Sequence, residues 1–149
     1  MKKFFILTLL LSIMTFGVYA QSTDINQSSP VSQGDFLVGA NAANVAVSDL
    51  QLSASVGYAL TDQIVVGLSE LSGNDDSWAG AVFGRYYLNS PFFAQGSVGY
   101  DSVEDDANFG ASLGVTGFLA NWVFVEPNIG VTFGENTEFA LGVSFGLRF

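Results

Sequence analysis

From Phe36 to Phe149, large apolar residues recur at alternate positions, and short polar stretches interrupt the pattern at intervals. The last instance is the clearest. Phe139, Leu141, Val143, Phe145, Leu147 and Phe149 alternate with Ala140, Gly142, Ser144, Gly146 and Arg148. A period of two places the first set on one face of a strand and the second on the other. The same division runs through Leu50 to Leu60, and Ile64, Val66 and Leu68 lead the next segment. It returns in Trp78 to Leu88, Phe92 to Tyr100, Phe109 to Phe118 and Val123 to Phe133. A first strand starts at Phe36, and its upper end is blurred by Asn41-Ala42-Ala43-Asn44. Short turns at Thr61-Asp62-Gln63, Asn89-Ser90-Pro91 and Ala120-Asn121 alternate with polar loops at Glu70 to Ser77, Asp101 to Asn108 and Gly134 to Thr137. The pattern predicts an all-β chain of eight antiparallel strands, with both ends and all the short turns on one side.

Alternation alone also fits a soluble sandwich or a lipocalin-like barrel. The weaker face separates these possibilities. A strand face meant for water carries Lys, Glu, Arg and Thr, whereas this one is mostly Gly, Ser, Ala and Gln, small enough to fill a narrow bore. The stronger face is Leu, Val, Phe and Tyr, with Trp78, Tyr86, Phe92, Tyr100, Phe109, Phe133, Phe139 and Phe149 near strand ends, as in interfacial aromatic girdles. Tilted strands of roughly nine to eleven residues cross a bilayer core. The expected fold is therefore an eight-stranded antiparallel transmembrane up-and-down β-barrel over residues 35–149.

Charge and composition narrow the function. The 149 residues carry 4 basic and 14 acidic side chains, with no Cys and no His. Lys2 and Lys3 stand at the amino terminus, which leaves Arg85 and Arg148 against every acid in the chain. Such a surface excludes nucleic acid as a partner. Absence of Cys and His removes disulfides, thiol chemistry and the usual zinc ligands. It also removes the His base or acid that barrel hydrolases and acyltransferases use, so no enzymatic activity and no cofactor are expected. Lys2-Lys3, the apolar run Phe4 to Phe16 and the small-residue site Val18-Tyr19-Ala20 read as a secretory signal peptide over 1–20, cleaved near Ala20. About 13 apolar residues are too few for the roughly 20 of a membrane helix. Residues 21–34, polar and with nothing evident to bury, read as a flexible periplasmic lead-in.

Three segments carry a resemblance. Gly57-Tyr58-Ala59-Leu60-Thr61-Asp62-Gln63-Ile64 is similar to a strand-turn-strand element of small bacterial outer-membrane β-barrel proteins, the broad OmpX/OmpW/OmpA-barrel group. Arg85-Tyr86-Tyr87-Leu88 before a turn resembles a second such element, and Gly117-Phe118-Leu119-Ala120-Asn121-Trp122 a degenerate third. A final strand of alternating hydrophobes ending in Phe also resembles that group's terminal signature. The resemblance implies an outer-membrane location in a Gram-negative envelope. It also implies an assembly signal at Phe145, Leu147 and Phe149 for the barrel assembly machinery, and closure of the last strand on the first.

Within this frame, Arg85, Gln95 and Glu126 share the inward parity of the fourth, fifth and seventh strands. A guanidinium in a tight lumen needs a partner, so Glu126 is predicted to pair with Arg85, with Gln95 or Tyr87 completing its hydrogen bonds. Asp35 enters the first strand and Arg148 leaves the eighth, both inward at the short-turn end, and they are predicted to lie within ion-pair reach. Glu70, Asp75, Asp76, Asp101, Glu104, Asp105, Asp106, Glu135 and Glu138 are expected to gather at the opposite rim. Asp101, Glu104, Asp105 and Asp106 are the weak candidates for Ca²⁺ or Mg²⁺, although their spacing is not that of an EF-hand and solvated loop charge is the favoured account. Eight strands leave a bore just wide enough for side chains. The expected role is therefore structural or surface-interacting, in a monomer surrounded by outer-membrane lipid. A small porin-like channel or a conduit for small or hydrophobic solutes is the alternative.

Overall fold

The computed structural model describes residues 29–43, 51–74, 77–89, 91–102, 106–134 and 137–149. The signal-peptide reading of 1–20, most of the lead-in, and Asp75, Asp76, Glu104, Asp105 and Glu135 lie outside these residues. The described residues form nine strands: β1 (Phe36–Ala43), β2 (Gln51–Ala59), β3 (Ile64–Asn74), β4 (Ser77–Asn89), β5 (Phe92–Asp101), β6 (Asp106–Val115), β7 (Gly117–Ala120), β8 (Val123–Phe133) and β9 (Thr137–Arg148). Each pairs antiparallel with its neighbour in sequence, except that β6 and β7 both pair with β8. β1 pairs with β9, from Leu37↔Arg148 to Ala42↔Val143. The β1–β9 and β6–β8 pairings complete the ring, leaving only short β7 laddered on one side among the described residues, and the result is a closed barrel of eight staves.

The sixth stave is expected as one strand, Phe109 to Phe118, and is found as two. Thr116 N–H donates to the Pro91 carbonyl at 2.9 Å, on the β5 side, so Val115 turns its own backbone groups toward β8. The register there sets Val115 opposite Pro127, which has no N–H to give. The ladder skips one rung and resumes at Gly117↔Val125 in the same register.

A second departure lengthens the barrel. The segment from Glu70 to Ser77, polar in composition, is expected as a loop. β3 in fact continues to Asn74 and β4 begins at Ser77. Glu70 is a bulged residue at φ 57°. Against both neighbours four residues of β3 span three of the partner, Leu68 to Leu71 over Val56 to Ala54 and Ser69 to Ser72 over Ala81 to Ala79. The extra residue restores parity, so that Leu71, like Leu68, faces outward.

The two faces are chemically separate. Outward positions are apolar on every stave, and Val82 (61%), Leu113 (56%) and Ile129 (51%) are more than half exposed. Aromatic residues cluster at both ends of this band, with Phe36 against Tyr58 at 4.9 Å near the turns and Trp78 against Tyr100 at 5.4 Å near the loops. Inside, the rings of Phe83, Phe93 and Phe124 fill the bore by resting on glycines. A Cβ at Gly146 would come 2.7 Å from Phe124 Cζ, one at Gly67 would come 2.7 Å from Phe83 Cε1, and Gly114 would collide with Phe93.

Candidate functional site: the lumen

The inward residues build two different halves. In the half nearer the turns, Leu37, Ala59, Val65, Phe83, Tyr87, Phe93 and Phe124 form a buried cluster, with Phe118 packed against it. Packed against it is a polar layer centred on Arg85. Its Nη1 lies 2.7 Å from Glu126 Oε1, and the side chains are 10% and 1% exposed. Nε donates to Gln95 Oε1 at 3.0 Å, which the direct pairing Arg85↔Gln95 on β4 and β5 makes possible. Nη1 also reaches the Tyr87 hydroxyl at 3.3 Å. The guanidinium carbon sits 4.1 Å from the centre of the Phe93 ring, a cation–π contact in a desolvated place. Glu126 Oε1 accepts a second hydrogen bond from Thr116 Oγ1 at 2.7 Å, and the Thr116 and Tyr87 hydroxyls lie 3.4 Å apart. Neighbouring charge and hydrogen bonds offset the desolvation of both ions, the condition under which a buried pair is tolerated.

A further polar chain runs along the inner wall over three adjoining staves on the loop side of this layer. Asn128 Nδ2 donates to the Glu126 carbonyl at 3.0 Å and to Ser144 Oγ at 3.3 Å, and Ser144 Oγ donates to Asn41 Oδ1 at 3.2 Å. Toward the loops the lumen opens into a vestibule of about 170 Å³, lined by Gln95, Ser97, Asn108, Ser112 and Thr132 together with Glu70 and Glu138. A smaller void of about 60 Å³ lies among Ser69, Glu70, Arg85 and Glu126. Glu70 therefore belongs to the lumen, because the bulge leaves it beside Ser69 on the inner surface. Asp101 and Asp106 pair across the top of β5 and β6. Among the described residues no three carboxylates are grouped as a metal site.

At the turn end Arg148 and Asp35 approach to 3.8 Å, a long pair with side chains 27% and 21% exposed. The stronger partners of Arg148 are carbonyls: Nη1 donates to Pro30 at 2.7 Å and Nη2 to Asn121 at 2.8 Å, while its guanidinium carbon stands 4.8 Å from the centre of the Phe118 ring. Phe145, Leu147 and Phe149 lie on the outer face of the last stave. Phe145 is paired with Ala40 and Val125, and Leu147 with Val38 and Val123. Phe149 exchanges backbone hydrogen bonds with Phe36 at 2.9 and 3.0 Å.

Parity brings out Arg85, Gln95, Glu126 and also Thr116, whose place opposite Glu126 follows once the sixth stave is aligned with the seventh. Asn41, Asn128 and Ser144 carry the same inward parity but are ordinary polar residues, with no charge to single them out. The chain end before β1 is where expectation and structure differ most. Residues 29–34 are not an unpacked lead-in, since Val31 is 1% exposed and belongs to the buried cluster. On the outside, Gly84, Gly96 and Ala111 are cross-strand neighbours and leave an apolar trough of about 710 Å³ between Tyr86 and Phe139.

No protein-family model matches the chain, and no curated protein matches it. Among solved structures, the barrel is similar to the crystal structure of the N-terminal β-barrel domain of Pseudomonas aeruginosa OprF. The TM-score is 0.61 and the identity 17%, over 80% of this chain and 100% of that one. At that identity the likeness concerns the fold: a closed, eight-stranded, antiparallel up-and-down barrel.

Proposed function

We propose that the chain is an integral barrel of the bacterial outer membrane, akin to the OmpX/OmpW/OmpA-barrel group, with a structural or surface-interaction role and no through-pore. The observation that carries the second part is the buried Arg85–Glu126 pair, packed in the bore against the cluster that holds Phe83, Phe93 and Phe124. The membrane reading is supported by an outer wall apolar on every stave, bounded by two aromatic zones. In water such a wall would be an aggregation surface, and in a bilayer it is the surface that lipid requires. Lipid chains would also fill the trough over Gly84, Gly96 and Ala111. Short turns then face the periplasm and the acidic loops face outward, presented by a rigid wall. The final stave supplies Phe145, Leu147 and Phe149 to the assembly machinery.

The test is conductance. Purified, refolded protein in a planar bilayer is expected to give no steady porin-scale current at any salt concentration. Steady unitary currents from the unmodified protein would replace this reading with the small-channel alternative.

A further inference from the structure

The short segment ahead of β1 does two things at one place. Its turn is held by Ser32 N–H donating to Asp35 Oδ2 at 2.8 Å and Asp35 N–H donating to the Ser32 carbonyl at 3.0 Å. Gln33 N–H donates to Asp62 Oδ1 at 2.8 Å, which ties the segment to the turn between β2 and β3. Gly34 N–H donates to the Ala59 carbonyl at 2.9 Å. These ties carry Pro30 and Val31 under the mouth of the barrel, where both are buried, while Ser32, Gln33 and Gly34 remain exposed. Val31 joins Tyr87, Phe83 and Phe124 in the buried cluster. The Pro30 carbonyl then accepts the 2.7 Å hydrogen bond from Arg148, at the end of the strand that closes the barrel.

We propose that Ser29–Gly34 is a latch: Val31 stoppers the turn-end mouth, and Pro30 clasps Arg148, so one segment seals the bore and locks the β1–β9 seam. Three features make it a device distinct from the wall. It is buried only at Pro30 and Val31, and apart from the Gly34 hydrogen bond to Ala59 at the end of β2 it joins no ladder. A turn sets it off from the first strand, where Gly34 sits at φ 97°, a conformation open to glycine. Its clasp can form only after the first and last strands have met, because Arg148 arrives opposite Leu37 by that pairing alone. Seating the latch therefore marks completion of the barrel, and unseating it admits water to Tyr87 and Glu126 from the periplasmic side. Solvent would then reach the ion pair from both ends.

The test uses the full mature chain, which has no Cys of its own. Val31→Cys and, separately, Ser32→Cys are refolded in detergent and reacted with a water-soluble maleimide. Val31→Cys is expected to react at least about tenfold more slowly than Ser32→Cys, since it reports only the open latch. Adding Arg148→Gln should bring the Val31→Cys rate to within about threefold of the Ser32→Cys rate, with the folded-barrel band on unheated gels unchanged. Equal rates in the two single variants would mean that the segment is not seated, and would overturn the proposal. A protected Val31→Cys that Arg148→Gln leaves unchanged would overturn it too, because the clasp would then hold nothing. If Arg148→Gln does not fold, Asp62→Ala removes the other tie without touching the last strand. Faster labelling of Val31→Cys in that background supports the latch, and an unchanged rate refutes it. Labelling in detergent reads the latch alone, so its failure is distinct from the appearance of porin-like currents.

Discussion

The two halves of the lumen share every stave and the same outer wall, yet they solve opposite problems. Nearer the turns the bore is dry: rings sit on glycines, and Arg85 faces a carboxylate at 2.7 Å. Nearer the loops it is wet: amides and hydroxyls line a cavity, and Glu70 and Glu138 have no cation across from them among its lining residues except Arg85 at the floor. The outward residues are alike in both halves, so membrane compatibility does not account for the difference. Inward volume does. Where an inward Phe meets an inward Gly on the adjoining stave the bore closes, and where Ser, Asn and Thr face one another it stays open. The same kind of change should therefore have unequal effects in the two halves.

The largest contrast concerns charge. Glu126→Ala would leave Arg85 buried with only Gln95 and Tyr87, and should cost roughly 3–5 kcal/mol. Urea unfolding of the barrel in detergent, followed by tryptophan fluorescence, measures this, and a loss below about 1 kcal/mol would mean that water already reaches the pair. Next comes volume. Gly146→Ala forces a methyl against the Val38 carbonyl and Phe124, and should cost about 1–3 kcal/mol. Gly130→Ala, in the wet half, meets Ser112 Cβ at 3.4 Å and should stay within about 0.5 kcal/mol of the parent. Equal losses would erase the distinction between the halves. One modest effect has the opposite sign. Glu70→Gly relieves a left-handed backbone at φ 57° and takes one carboxylate from the vestibule, so a gain of about 0.5–1 kcal/mol is expected in the same assay.

The sequence shows one half far better than the other. Alternation assigns Phe83, Arg85, Tyr87, Gln95 and Glu126 to the interior, and the cost of a lone buried charge brings Arg85 and Glu126 together. The loop-end half depends on a bulge, and one extra residue at Glu70 looks like the end of a strand when only the period is followed. The place of Glu70 in the lumen emerges when Leu71 is seen to face outward again. The interruption at Thr116 was visible as a proline at position 127, but its effect depends on which residue lies opposite, and only closure of the sheet fixes that. Val31 had no signal at all. A single valine among polar residues becomes part of a core only because the barrel mouth lies next to the start of the first strand.

The rings that rest on glycines have a consequence for how this protein can drift in sequence. In a soluble domain the bulky interior positions resist change and the small exterior ones vary freely. Here the order is reversed. Leu, Val, Ile and Phe on the outer wall can exchange with one another so long as they remain greasy, while Gly39, Gly67, Gly114 and Gly146 cannot gain even a methyl without displacing a ring or a neighbouring strand. Distant relatives should thus keep the positions with least side chain and lose those with most. Similarity scores weighted toward large hydrophobes would then fade well before the barrel itself changes.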